Sequence, residues 1–136
     1  MKLTAKILED LFVKCNKDFF NSELVKPKFG TYIGNNTMGI FSVITSKKTN
    51  KQTLKISIAK NFELTEDELR DILVHEMIHE YVFLKKGVNE GHKKMFVEKM
   101  NELNEKYGLD IRKNSKHIFK KQKNASFFKK IINALF

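Results

Sequence analysis

From Thr4 to Phe20 the apolar residues Ile7, Leu8, Leu11, Phe12, Cys15 and Phe19 recur three and four apart, the spacing of one helical face. Thr4 is placed to cap that helix and Asn21-Ser22 to end it. Beyond Pro27 the period drops to two. Residues 28–33 alternate loosely, and Gly34-Asn35-Asn36 supplies turn chemistry. Residues 39–45 run through Ile40, Phe41, Val43 and Ile44, and residues 53–59 alternate through Leu54, Ile56 and Ile58. A polar loop with Lys47, Lys48 and Lys51 separates the last two runs. These segments predict a three-stranded antiparallel sheet. Helical spacing returns at Leu69, Ile72, Leu73, Met77, Ile78 and Tyr81 and continues to about Leu84. Thr65 and Glu68 form a capping box ahead of it, and Glu66, Asp67 and Glu68 complement the positive end of the helix dipole. After a break at Lys86-Gly87-Val88-Asn89, residues Met95, Phe96, Met100 and Leu103 mark a second helix. It opens at His92 and ends at Gly108. The expectation is an α+β domain: a helix, a three-stranded antiparallel sheet and two further helices.

The penultimate helix carries His75-Glu76-Met77-Ile78-His79 in its middle. Positions i and i+4 stand almost above one another on a helix, so both imidazoles can hold one metal ion. Glu76, a further 100° round, can reach a water bound there, which is the arrangement for zinc-assisted hydrolysis. The helix is apolar along most of its length, so buried imidazoles and a buried carboxylate need partners, and a zinc ion supplies them. A catalytic zinc site takes a third protein ligand and leaves the fourth position to water. His92 is the favoured third ligand, at the first turn of the following helix, with Glu98 and Glu102 as alternatives. The spacing excludes the metzincin pattern, whose third histidine follows the second by six residues. Tyr81, one turn past the motif, is either core or an auxiliary group.

The run His75-Glu76-Met77-Ile78-His79, followed by Glu90-Gly91-His92 and Phe96, resembles the SprT-like zinc metalloprotease domain, the family that includes Spartan. Asn16-Lys17-Asp18-Phe19-Phe20 with Leu24 resembles that family's first helix and its exit, and the strand-rich segment between is similarly placed. The resemblance covers roughly residues 4–111. It implies a zincin-like fold, zinc held by His75, His79 and His92, Glu76 as the base, and endopeptidase activity. For the best-known members it implies digestion of proteins attached to DNA. Two features depart from the family's habit: Lys93-Lys94 stands where Gly-Pro is common, and there is no cysteine-rich zinc ribbon.

Charge changes the picture at the C-terminal end. The chain has 136 residues and a formal net charge of +10. Residues 111–136 contain no acid but eight of the 26 basic residues: Arg112, Lys113, Lys116, Lys120, Lys121, Lys123, Lys129 and Lys130. The first 110 residues hold the other 18 against all 16 acids, a net of +2. The division expected is therefore a metallopeptidase domain over residues 1–110 and a basic extension over 111–136. A one-signed segment is the footprint expected of nucleic-acid binding, with Lys113, Lys116, Lys120, Lys121, Lys123, Lys129 and Lys130 as candidate phosphate contacts. Ser126 can cap a short amphipathic helix through Phe127, Phe128, Ile131, Ile132 and Leu135, and His117 is placed for solvent or phosphate. A single cysteine, Cys15, in an apolar stripe excludes an internal disulfide and a cysteine zinc cluster. No apolar window is long enough for a membrane span and no signal peptide is evident, so a cytoplasmic, even nucleoid-associated, protein is expected. The combined reading is a zinc endopeptidase acting on protein substrates, including proteins bound or crosslinked to DNA. Its rivals are a nucleic-acid-binding module with a structural or vestigial zinc site, and a peptidase with no nucleic-acid link. Oligomeric state is not legible.

Overall fold

The computed structural model describes residues 2–113. Helix α1 spans Ala5–Phe20, and the Thr4 hydroxyl accepts from the Ile7 N–H at 3.2 Å. Its apolar stripe buries Leu8, Phe12, Cys15 and Phe20. Burial pushes the Cys15 thiol up to about 12, so it behaves as a small apolar group. Three strands follow, β1 (Lys28–Tyr32), β2 (Gly39–Thr45) and β3 (Gln52–Ala59). Then come α2 (Glu66–Lys86) and α3 (Lys94–Tyr107). Among the described residues no helix is long and apolar enough to cross a membrane.

The sheet corrects the expectation of an antiparallel meander. Its order is β1-β3-β2, with β2 antiparallel and β1 parallel to β3. Turn residues at 34–36 do not close a β1–β2 hairpin. Instead, Asn61, beyond β3, reaches back and holds Gly34 from both sides: its Nδ2 donates to the Gly34 carbonyl at 2.8 Å, and its Oδ1 accepts the Gly34 N–H at 2.9 Å. The Lys60 N–H donates to the Tyr32 carbonyl and the Ala59 N–H to the Met38 carbonyl, each at 2.9 Å. The end of β3 is thereby inserted between its neighbours. The strand with the most buried residues, Ile56, Ile58 and Ala59, takes the central place. The registered row Phe29–Ile56–Phe41 faces the helices, where Phe29 meets Phe12 and Phe41 meets Phe83.

Order β1-β3-β2 leaves β2 at an edge. The Met38–Ala59 bond fixes the phase of the ladder, so Gly39, Phe41, Val43 and Thr45 turn their backbone groups outward. Charge is segregated as well: residues 24–62, the sheet with its connections, carry seven lysines and no acid.

The α2 capping box is closed in both directions, Glu68 N–H to Thr65 Oγ1 at 3.1 Å and Thr65 N–H to Glu68 Oε1 at 2.8 Å. Gly87, at φ 76°, ends the helix. Helix α3 begins two residues later than its apolar spacing predicts. His92 therefore lies in the connection ahead of the helix and not within its first turn. Gly91, at φ 76°, turns the chain into it, a left-handed conformation that favours glycine.

Candidate metal centre

Helix α2 places His75 and His79 on one face, one turn apart, and the α2–α3 connection brings His92 against them. The His92 Nε2 lies 3.0 Å from the His75 Nε2 and 3.2 Å from the His79 Nε2. Ligand atoms of all three fall within 4.8 Å of one another. Two nitrogens on a tetrahedral zinc at 2.0–2.1 Å stand about 3.3 Å apart, close to the spacings found here. Phe96, fully buried on α3, closes the underside, with its ring centroid 4.6–4.9 Å from each imidazole.

Protonation is arranged to suit a cation. The His75 Nδ1 lies 2.7 Å from the carbonyl oxygen of Arg112. A carbonyl only accepts, so the His75 proton sits on Nδ1 and the Nε2 lone pair faces the cluster. Burial lowers His75 to about 4, with His92 adding to the effect and the Arg112 carbonyl opposing it. Burial likewise lowers His79 to about 3, helped by His75 and His92. His92 is lowered by burial and then by Lys113. All three rings are therefore neutral near pH 7, as metal ligation requires. The donor set and its spacing fit a zinc ion.

Glu76 is 5% exposed, and its Oε2 lies 3.9 Å from the His75 Nε2. Burial pushes its carboxyl up to about 8, opposed by a hydrogen bond from the Phe41 backbone N–H. The Phe41 carbonyl accepts from the Asn89 Nδ2 at 3.4 Å, so both outward groups of this residue are engaged from the α2 and α2–α3 side. Gly39 is the close approach: a Cβ there would fall 2.8 Å from the Glu76 Oε2 and 2.9 Å from its Cγ. The cluster opens into a cleft of about 690 Å³, lined by Met38, Gly39, Phe41, Ile72 and Asn89 around the histidines and Glu76.

His75, His79, His92 and Glu76 are thus brought together. The alternative ligands are placed elsewhere, Glu98 beside Lys94 at 3.9 Å and Glu102 beside Lys99 at 2.9 Å. Tyr81 faces Phe20 and lies under the Lys99 ammonium at 4.8 Å, away from the cleft. Of the candidate phosphate contacts, Lys113 lines the cleft. Lys116, Lys120, Lys121, Lys123, Lys129 and Lys130 lie outside the described residues, as do His117 and the amphipathic segment from Ser126. Sequence reasoning missed Gly39, Asn89 and the Arg112 carbonyl. Only the first left a signal, a glycine inside a strand pattern, which marks a bulge or a close approach. It also missed Glu80, which is fully buried with its carboxyl facing the Val25 backbone. Burial raises that carboxyl to about 8, opposed by the Val25 backbone.

Two histidines a turn apart, a third delivered by a glycine turn and a carboxylate beside them in an open cleft suggest a metallopeptidase of the H-E-x-x-H class. The chain belongs to the SprT-like family, whose model matches residues 8–117. No curated protein and no solved structure was found to match.

Proposed function

We propose that the protein is a zinc-dependent endopeptidase in which His75, His79 and His92 hold the metal and Glu76 is the general base. The observation that carries this reading is the convergence of three imidazoles beside a buried carboxylate, at the floor of a cleft bordered by the edge strand β2. Bound zinc would supply a Lewis acid for the scissile carbonyl and a water of lowered pKa. The chain's own residues do the rest. Beside a divalent cation the Glu76 carboxyl loses its proton, because a nearby positive charge favours the ionised form. Glu76 then takes a proton from the attacking water and returns one to the leaving amine. An extended peptide would lie in the cleft alongside Met38 to Phe41, which line it next to Glu76.

The proposed substrate is protein, including protein held on DNA. Supporting the DNA part is the one-signed stretch from Arg112 onward, whose first lysine, Lys113, stands at the cleft. The test of the core reading separates metal from base. Wild-type protein should carry about one zinc per chain, and His75→Ala, His79→Ala or His92→Ala should each strip it. Glu76→Gln should keep the zinc and lose cleavage of unfolded casein by at least about 10²-fold. Full activity in Glu76→Gln would overturn the mechanism.

A further inference from the structure

Among the described residues three asparagines make the same paired contact, each bracketing the N–H and C=O of one backbone residue. Asn61 does so on Gly34. Asn16, on α1, donates from Nδ2 to the Leu24 carbonyl at 3.0 Å and accepts the Leu24 N–H at 3.1 Å. Asn104, on α3, donates to the Ile111 carbonyl at 2.9 Å and accepts the Ile111 N–H at 2.8 Å. The last two are equivalents: each asparagine sits in the final turns of a helix and holds the chain that leaves it. They differ in what comes next: Val25, after Leu24, meets the buried Glu80 carboxyl and no proposed ligand. Ile111 is followed by Arg112, whose carbonyl accepts the His75 Nδ1 proton at 2.7 Å.

The exit segment is fixed from several sides. Leu109 and Ile111 are buried, and the Asp71 Oδ2 accepts the Asp110 N–H at 3.2 Å. Asp71 is itself held by the Arg70 Nε at 3.0 Å. Apolar burial sets how deep a segment lies, but it does not set the direction of its peptide planes. The Asn104 bracket does: its bond to the Ile111 carbonyl fixes the peptide plane that leads into Arg112. Only the torsions of Arg112 itself then remain to aim the next carbonyl.

We infer that Asn104 is a positioning residue for the metal centre. It holds Ile111 so that the Arg112 carbonyl keeps the His75 proton on Nδ1 and leaves the Nε2 lone pair for the metal. The inference rests on the metal-site reading above. Without the carbonyl, the His75 ring is free to turn or to carry its proton on Nε2, where binding would have to displace it. Outer partners of this kind typically change metal affinity 10–100-fold when removed.

The test compares matched variants of the full chain. Zinc affinity is measured by competition with a chromophoric chelator, and the His75 tautomer by nitrogen-15 NMR of the zinc-free protein. Asn16→Ala removes the equivalent bracket at a segment whose next residue meets Glu80 and no proposed ligand, so it should lower the melting temperature while zinc affinity stays within about twofold of wild type. Asn104→Ala should weaken zinc about 10–100-fold and mix the His75 tautomers. Should Asn104→Ala fail to fold, Asn104→Asp takes its place, since it keeps the acceptor for the Ile111 N–H and loses the donor to the carbonyl. Wild-type zinc affinity and an unmixed tautomer in the folded Asn104 variant would overturn the inference. Wild-type protein that binds no zinc would overturn the metal reading instead, and the tautomer comparison would still decide the role of Asn104.

Discussion

Gly39→Ala isolates the placement of the proposed base from its chemistry. Gly39 is not among the glycines at positive φ, so its backbone accepts alanine; space is the obstacle. The added methyl would fall 2.8 Å from the Glu76 Oε2, 2.9 Å from its Cγ and 3.1 Å from its Cδ. Ordinary carbon contacts begin near 3.5 Å, so at Cγ either the carboxyl or the strand must give by roughly 0.6 Å. The carboxyl is buried and held by the Phe41 N–H, so any yielding moves Glu76 relative to the histidines. Misplacement near 1 Å costs up to about 10²-fold in rate. Overpacking of this kind costs about 1–3 kcal/mol of stability. The expected variant therefore folds, keeps about one zinc per chain and cleaves unfolded casein about 10–100-fold more slowly. The assay is initial rate at matched zinc content, well below the melting temperature. Wild-type rates in Gly39→Ala would refute the claim that this glycine makes room for Glu76. Loss of zinc along with activity would show that strand β2 supports the ligands as well.

Stability of the zinc-free protein should be broadest on the mildly acidic side. Glu76 and Glu80 are raised from 4.5 to about 8, so their stabilising effect is whole below pH 4.5 and is lost as pH rises through 8. His75 and His79 are lowered from 6.5 to about 4 and 3, so theirs is whole above pH 6.5 and is lost as pH falls through those values. Denaturant midpoints should thus decline above about pH 7 and below about pH 4.5, and midpoints that climb from pH 7 to 9 would contradict the buried-carboxyl assignment. Binding to duplex DNA should weaken with salt at a log–log slope of roughly −4 to −5 if four to six basic residues of the C-terminal stretch engage. Replacing Lys120, Lys121, Lys123, Lys129 and Lys130 with Gln should remove most of that slope. An unchanged slope would show that these five lysines make no phosphate contacts.

The helices and the His75–His79 pair were legible because both are local. Thr4, Thr65 and Gly108 mark helix ends, and His75 and His79 owe their juxtaposition to helical geometry alone. Strand spans were legible for the same reason. Their pairing was not, because it depends on contacts distant in sequence, such as Asn61 bracketing Gly34 across 27 residues. A turn-like Gly34-Asn35-Asn36 invites a hairpin that the end of β3 displaces. His92 could be favoured over Glu98 and Glu102 from its place at the start of the next helical pattern, but its delivery depends on Gly91 and on the Phe96 ring beneath it. The Arg112 carbonyl was beyond reach in principle. A backbone group carries no side-chain identity, and only folding brings it to His75.

The edge position of β2 bears on a hazard unrelated to catalysis. An unpaired strand edge is a template for another chain and so a route to aggregation. Here the outward groups of Phe41 are taken by Glu76 and Asn89, and the space beside Gly39 is filled by the same carboxylate. The open part of the edge is reduced to Val43 and Thr45, next to Lys47 and Lys48, whose charge discourages a second strand. Glu76, the proposed base, thus also guards the sheet, with Asn89 beside it. Substitutions at Glu76 or Asn89 would therefore be expected to lower the protein's solubility on storage, an effect separable from any loss of fold by light scattering at unchanged melting temperature.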